Sequence, residues 1–76
     1  MIRIDVIVDK YEREVDHYGG FEYIYKVHKV PGGMVINSFH VPFSYDSEEM
    51  LEYEKRVRKE IHTYLEKHDY TAIQKF

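Results

Sequence analysis

The sequence predicts an α+β fold: a three-stranded antiparallel β-meander packed on one face by a long C-terminal helix, with scope for a short terminal strand. Three observations carry that expectation. The N-terminus alternates apolar and polar residues, two β-rich segments flank Pro31-Gly32-Gly33, and a helical repeat begins after Asp46. A chain of 76 residues buries only about 60% of its unfolded surface. It is therefore expected to build one core, as a single βββα domain spanning residues 1–76.

In the first strand Ile2, Ile4, Val6 and Val8 alternate with Arg3, Asp5, Ile7 and Asp9, which places four aliphatics on one face. The charged stretch from Lys10 to Asp16 prolongs this strand until Tyr18-Gly19-Gly20 allows a reversal. The second strand, Phe21 to Val30, is aromatic and β-branched. Phe21, Tyr23, Tyr25 and Val27 lie on one face, and Ile24, Lys26, His28 and Val30 on the other. Pro31-Gly32-Gly33 suits a three-residue hairpin loop that pairs Val30 with Met34. Tyr25 then faces Phe39 and Tyr23 faces Val41; a two-residue loop would set Tyr25 opposite Ser38. The first register is preferred because it brings apolar partners onto a shared face.

The third strand, Met34 to Val41, ends at Pro42, which offers no backbone donor. Asp46 is the expected helix N-cap, with Glu49 as its capping-box partner and Tyr45 stapled against Met50. Met50, Tyr53, Val57, Ile61, Tyr64 and Leu65 keep spacings of three and four over a helix from Ser47 to about His68. The expected core sets Ile2, Ile4, Val6, Val8, Phe21, Tyr23, Tyr25, Val35, Phe39 and Val41 against that stripe. Residues 69–76 are apolar enough, through Tyr70, Ile73 and Phe76, to form an edge strand or a docking segment.

Composition narrows the function classes without selecting one. The hydrophobic share of 43% and charged share of 33% are those of a globular protein. No cysteine is present, which excludes disulfides and Cys-ligated zinc and fits a cytoplasmic protein. The N-terminus lacks the uninterrupted apolar run of a signal peptide, and nothing approaches the roughly 20 residues of a membrane span. A net charge of −3 gives no general attraction to nucleic acid or anionic lipid.

On the expected register, the face opposite the helix carries Ile7, Ile24, Val30, Met34 and Ile36 among Arg3, Lys26, His28 and His40. Apolar area of this kind marks a protein contact unless the tail, through Ile73 and Phe76, covers it. The function expected is therefore a non-enzymatic protein-interaction module, a small regulator, inhibitor or adaptor, with a homodimer among its forms. The alternative is a single-stranded nucleic-acid binder using Tyr23, Tyr25, Lys26, His28 and Lys29, which requires the tyrosines to be exposed.

Other constellations point nowhere specific. The histidines His17, His28, His40, His62 and His68 form no ligand motif, although His28 and His40 on one face suggest a pH-sensitive contact. Ser38, Ser44 and Ser47 have no evident base, and the glycine pairs match no phosphate-binding fingerprint. The acidic run Asp46, Glu48, Glu49, Glu52 and Glu54 could imitate a phosphate track, but it is explained more simply by the helix dipole. No cofactor, metal or catalytic residue is expected.

Overall fold

The alternation of the first two strands produces a long antiparallel ribbon, from which the rest of the fold is built. The computed structural model describes residues 4–74 and 76. Its elements are β1 (Ile4–Glu14), β2 (Phe21–Val30), β3 (Val35–Val41), α1 (Ser47–Lys67) and β4 (Tyr70–Ala72), and the sheet has the order β3-β2-β1-β4. β1 and β2 pair without interruption from Asp5 opposite Val30 to Glu14 opposite Phe21. Ile2, expected in the core, and Arg3, expected on the open face, lie outside the described residues.

The β2–β3 hairpin contains both registers that the sequence allows. Lys29 N–H donates to the Met34 carbonyl at 2.8 Å and Gly33 N–H to the Lys29 carbonyl at 2.9 Å, so the loop runs from Val30 to Gly33. Val30 therefore does not pair with Met34. Gly32 and Gly33 have φ of 107° and 70°, backbone that residues with a Cβ rarely adopt. Continued inward, this register would put Ser38 opposite Tyr25. A bulge prevents it: His28 faces Val35 while Val27 faces Asn37, and Ile36 between them is unpaired. Beyond the bulge Tyr25 faces Phe39 and Tyr23 faces Val41, as expected.

The bulge exchanges two predicted positions. Ile36, expected on the open face, packs against the core, while Val35, expected in the core, faces outward opposite His28 at 45% exposure. Phe21, also expected in the core, lies exposed at the end of the ladder.

α1 starts where Asp46 accepts from the N–H groups of Glu48 and Glu49 at 2.9 and 3.3 Å. The other half of the capping box is absent, because Asp46 N–H donates to Ser44 Oγ at 3.1 Å and Glu49 accepts from the Tyr53 hydroxyl. Tyr45 is 81% exposed and does not staple against Met50. Its ring meets Phe43 edge-on, and its hydroxyl donates to Asp16 Oδ2 at 2.7 Å. Asp69, with φ of 57°, turns the chain out of the helix into β4. β4 runs parallel to β1, with Tyr70 beside Ile4 and Ala72 beside Val6.

One face of the sheet is buried by the helix. Val6, Val8, Tyr25, Val27 and Val41 form a continuous cluster with Val57, Ile61 and Leu65. Tyr25, 3% exposed, donates its hydroxyl to Glu54 Oε1 at 2.7 Å, and Lys10 Nζ reaches the same oxygen at 2.7 Å. Burial, helped by the Glu54 carboxylate, pushes the Tyr25 hydroxyl well above its ordinary pKa. Burial opposes ionisation of Glu54, but bonds from Lys10 and Tyr25 outweigh it and hold the carboxyl below its usual value. Among the described residues no helix is long and apolar enough to cross a membrane.

Ile61 is fully enclosed at the centre of this cluster. Ile61→Ala is expected to cost about 2–5 kcal/mol through lost burial and the cavity left behind. Urea unfolding followed by circular dichroism measures it, and Leu51→Ala on the exposed side of α1 should change stability by under ~0.5 kcal/mol.

Candidate interaction surface

The face of the sheet away from the helix receives alternate residues of each strand. Cross-strand pairing there sets Asp5 beside Val30, Ile7 beside His28, Asp9 beside Lys26, Tyr11 beside Ile24 and Arg13 beside Glu22. β3 adds His40 beside Ile24, Ser38 beside Lys26 and Val35 beside His28. Of the predicted surface residues, Ile7, Ile24, Lys26, His28, Val30 and His40 share this face. Met34 is exposed at the hairpin loop, and Ile36 is absent from the face.

The described residues of the tail do not cover it. Tyr70 packs edge-on to Tyr64 and lies parallel to His68. Phe76 stacks on His62 at 4.7 Å, tilts against Tyr25 at 6.5 Å and accepts a bond from Arg58 through its carbonyl. Both aromatic residues close the helix side, and Ile73 stays exposed beyond β4. The face opposite the helix is therefore open to solvent among the described residues.

Charged groups divide this face into two networks around aliphatic side chains. Glu22, 5% exposed, pairs with both Arg13 and His40. The bond to His40, with the help of Arg13 and against desolvation, holds the Glu22 carboxyl below the usual carboxylate range. His28 is the centre of the second network. Its Nδ1 lies 3.1 Å from the Gly33 carbonyl, an obligate acceptor, so that nitrogen carries the proton. Nε2 then either accepts from the Tyr11 hydroxyl at 3.4 Å or, when protonated, donates to Asp9 Oδ2 at 3.3 Å. Lys26 Nζ sits 4.9 Å from the centre of the Tyr11 ring, a cation–π distance. A shallow depression of about 310 Å³ at the β3 side is lined by Arg13, Ile24, Lys26, Ser38, Phe39 and His40, and so touches both networks.

Sequence reasoning did not single out Tyr11, Asp9, Arg13 and Glu22 as parts of this face. The period-two alternation that selected Ile7 continues through Asp9, Tyr11 and Arg13, and the one that selected Ile24 reaches back to Glu22, so extending both would have found them. Tyr23 and Tyr25 point to the helix side, so the stacking platform required by a nucleic-acid reading is not formed. Among the described residues no three His, Cys, Asp or Glu side chains converge as a metal site. No protein-family model matches the sequence, and comparison with curated proteins and with solved structures also finds no match.

Because Glu22 is held below its unfolded pKa, its stabilising effect is full well above the unfolded value of about 4.3, begins to fall as pH nears that value and is lost as pH falls through the folded-state value. Glu22→Gln should therefore lower the urea midpoint at neutral pH and lessen its fall between about pH 5 and pH 3. Equal slopes for wild type and variant would show that the Arg13–Glu22–His40 network contributes nothing to acid sensitivity.

Proposed function

We propose that this chain is a non-enzymatic protein-interaction module that binds a protein partner through the open face of its sheet. The observation that carries this reading is an aliphatic cluster, Ile7, Val30 and Val35, with Ile24 set apart beyond Lys26, left without a covering element among the described residues. Networks of both charge signs surround it. Protein contacts commonly combine an apolar centre with a polar rim, and charges fixed by their own partners favour orientation and specificity over bulk attraction. The role is that of a small regulator, inhibitor or adaptor. The cysteine-free sequence suits a reducing compartment such as the cytoplasm.

The test is capture from the native host with the full chain immobilised, comparing wild type with Ile24→Glu and Leu51→Glu. Ile24 lies on the open face and Leu51 is exposed on α1. A specific partner should be retained by wild type and by Leu51→Glu, with binding at least ~10-fold weaker for Ile24→Glu. Equal retention by all three chains would exclude the open face as the contact.

A further inference from the structure

The sheet has two edges, and they differ in how their backbone groups are met. On β3, Asn37 pairs toward β2, so Ser38 turns its N–H outward, where Asn37 Oδ1 accepts it at 2.8 Å. That bond blunts the β3 edge against strand addition. β1 differs. Among the described residues β4 covers it only from Ile4 to Val6, and the last bond is from Ile73 N–H to the Val6 carbonyl at 3.0 Å. The chain then leaves the plane of the sheet for the helix side, where Phe76 lies against Tyr25.

Backbone direction alternates along a strand. Since Val6 faces β4, so do the N–H and C=O groups of Val8, Lys10, Glu12 and Glu14. The bond from Val15 N–H to the Gly20 carbonyl confirms that odd residues face β2. No strand pairs with this stretch on its outer side among the described residues.

From Asp9 to Arg13 the sequence of the open stretch is complementary to its own reverse, and the terminal pair sets Val8 against Glu14. We propose that Val8–Glu14 pairs antiparallel with the same segment of a second copy, about a two-fold axis at Tyr11. Lys10 then faces Glu12 in both directions through backbone hydrogen-bonded pairs, and Asp9 faces Arg13 on the open face. Tyr11 meets its own counterpart at a non-hydrogen-bonded pair, where side chains approach closely. Each neighbouring register that keeps outward backbone groups opposed sets like charges together: centring on residue 10 opposes two lysines, and centring on residue 12 opposes two glutamates. Only the axis at Tyr11 avoids this.

Existing partners do not prevent the pairing. Lys10 Nζ has three donors and gives one to Glu54 at 2.7 Å, and the side chain of Arg13 is 65% exposed while bridging to Glu22. At each end of the ladder Val15, 42% exposed, approaches Ile73, 48% exposed, of the other copy. The two sheets join into one, with both helices on the same side and both open faces continuous. The edge contact is independent of the open-face reading: either can fail alone.

Sedimentation velocity on the full chain, over a concentration series reaching the millimolar range, should show a monomer–dimer equilibrium. Glu12→Pro removes only an outward donor, so it should keep the wild-type circular dichroism spectrum and abolish the dimer. Glu12→Lys opposes two lysines with Lys10 and should weaken association at least ~10-fold. Because the chain has no native cysteine, Tyr11→Cys offers a test of register: mild oxidation should link two copies far faster than for Lys10→Cys or Glu12→Cys. Ile24→Glu should leave the dimer intact. A monomer at every concentration, a dimer that survives Glu12→Pro, faster linkage at residue 10 or 12, or a dimer broken by Ile24→Glu would each overturn the proposal.

Discussion

Burial of Val57, Ile61 and Leu65 against Val6, Val27 and Val41 is the interaction on which the rest of the structure depends. A single helix covers a single sheet face. Once that stripe is seated, alternation determines which side of every strand is dry, and the opposite side must satisfy its polar groups locally. The open face does so with fixed ion pairs and ring contacts, which is why its aliphatic residues sit among charged neighbours instead of forming a continuous apolar sheet. The same seating brings Glu54 over Tyr25 and Lys10, tying the helix to the ribbon by polar contacts as well as packing.

The fold was readable wherever a pattern repeated. Ile4, Val6 and Val8 give their face away by spacing, and Asp46 announces the helix because its carboxylate has an immediate use at exposed N–H groups. The inner register of β2 and β3 was also readable, from the preference of Tyr25 and Tyr23 for apolar partners. The route to that register was not. Loop length and a bulge compensate one another, and many combinations give the same inner pairing, so side-chain preference cannot identify where the extra residue is placed. Ile36 and Val35 were exchanged for this reason alone.

The interaction surface was legible in part. Ile7, Ile24, Lys26, His28, Val30 and His40 were placed by alternation, but the tail, as a possible cover, was not decided by its composition. Tyr70 and Phe76 are equally apolar on either face. Their actual positions follow from parallel pairing beside Ile4 and from the ring of His62, long-range facts without a local signature. The helix-cap region illustrates the same limit: Tyr45 satisfies a staple pattern, yet a distant carboxylate, Asp16, offers its hydroxyl a bond that the staple cannot.

That carboxylate ties together two parts of the chain that are far apart in sequence. Asp16 accepts from the N–H groups of Tyr18 and Gly20 and from the Tyr45 hydroxyl, whose bond is the largest of the effects holding its carboxyl below the usual range. Gly20 is packed so closely that an added Cβ would come within 2.8 Å of the Phe43 ring. The connector before α1 thus works as a clasp on the tip of the ribbon. The tip is held at two points, by the Tyr45 hydroxyl and by the Phe43 ring, and both belong to the segment that leads into the first turn of the helix.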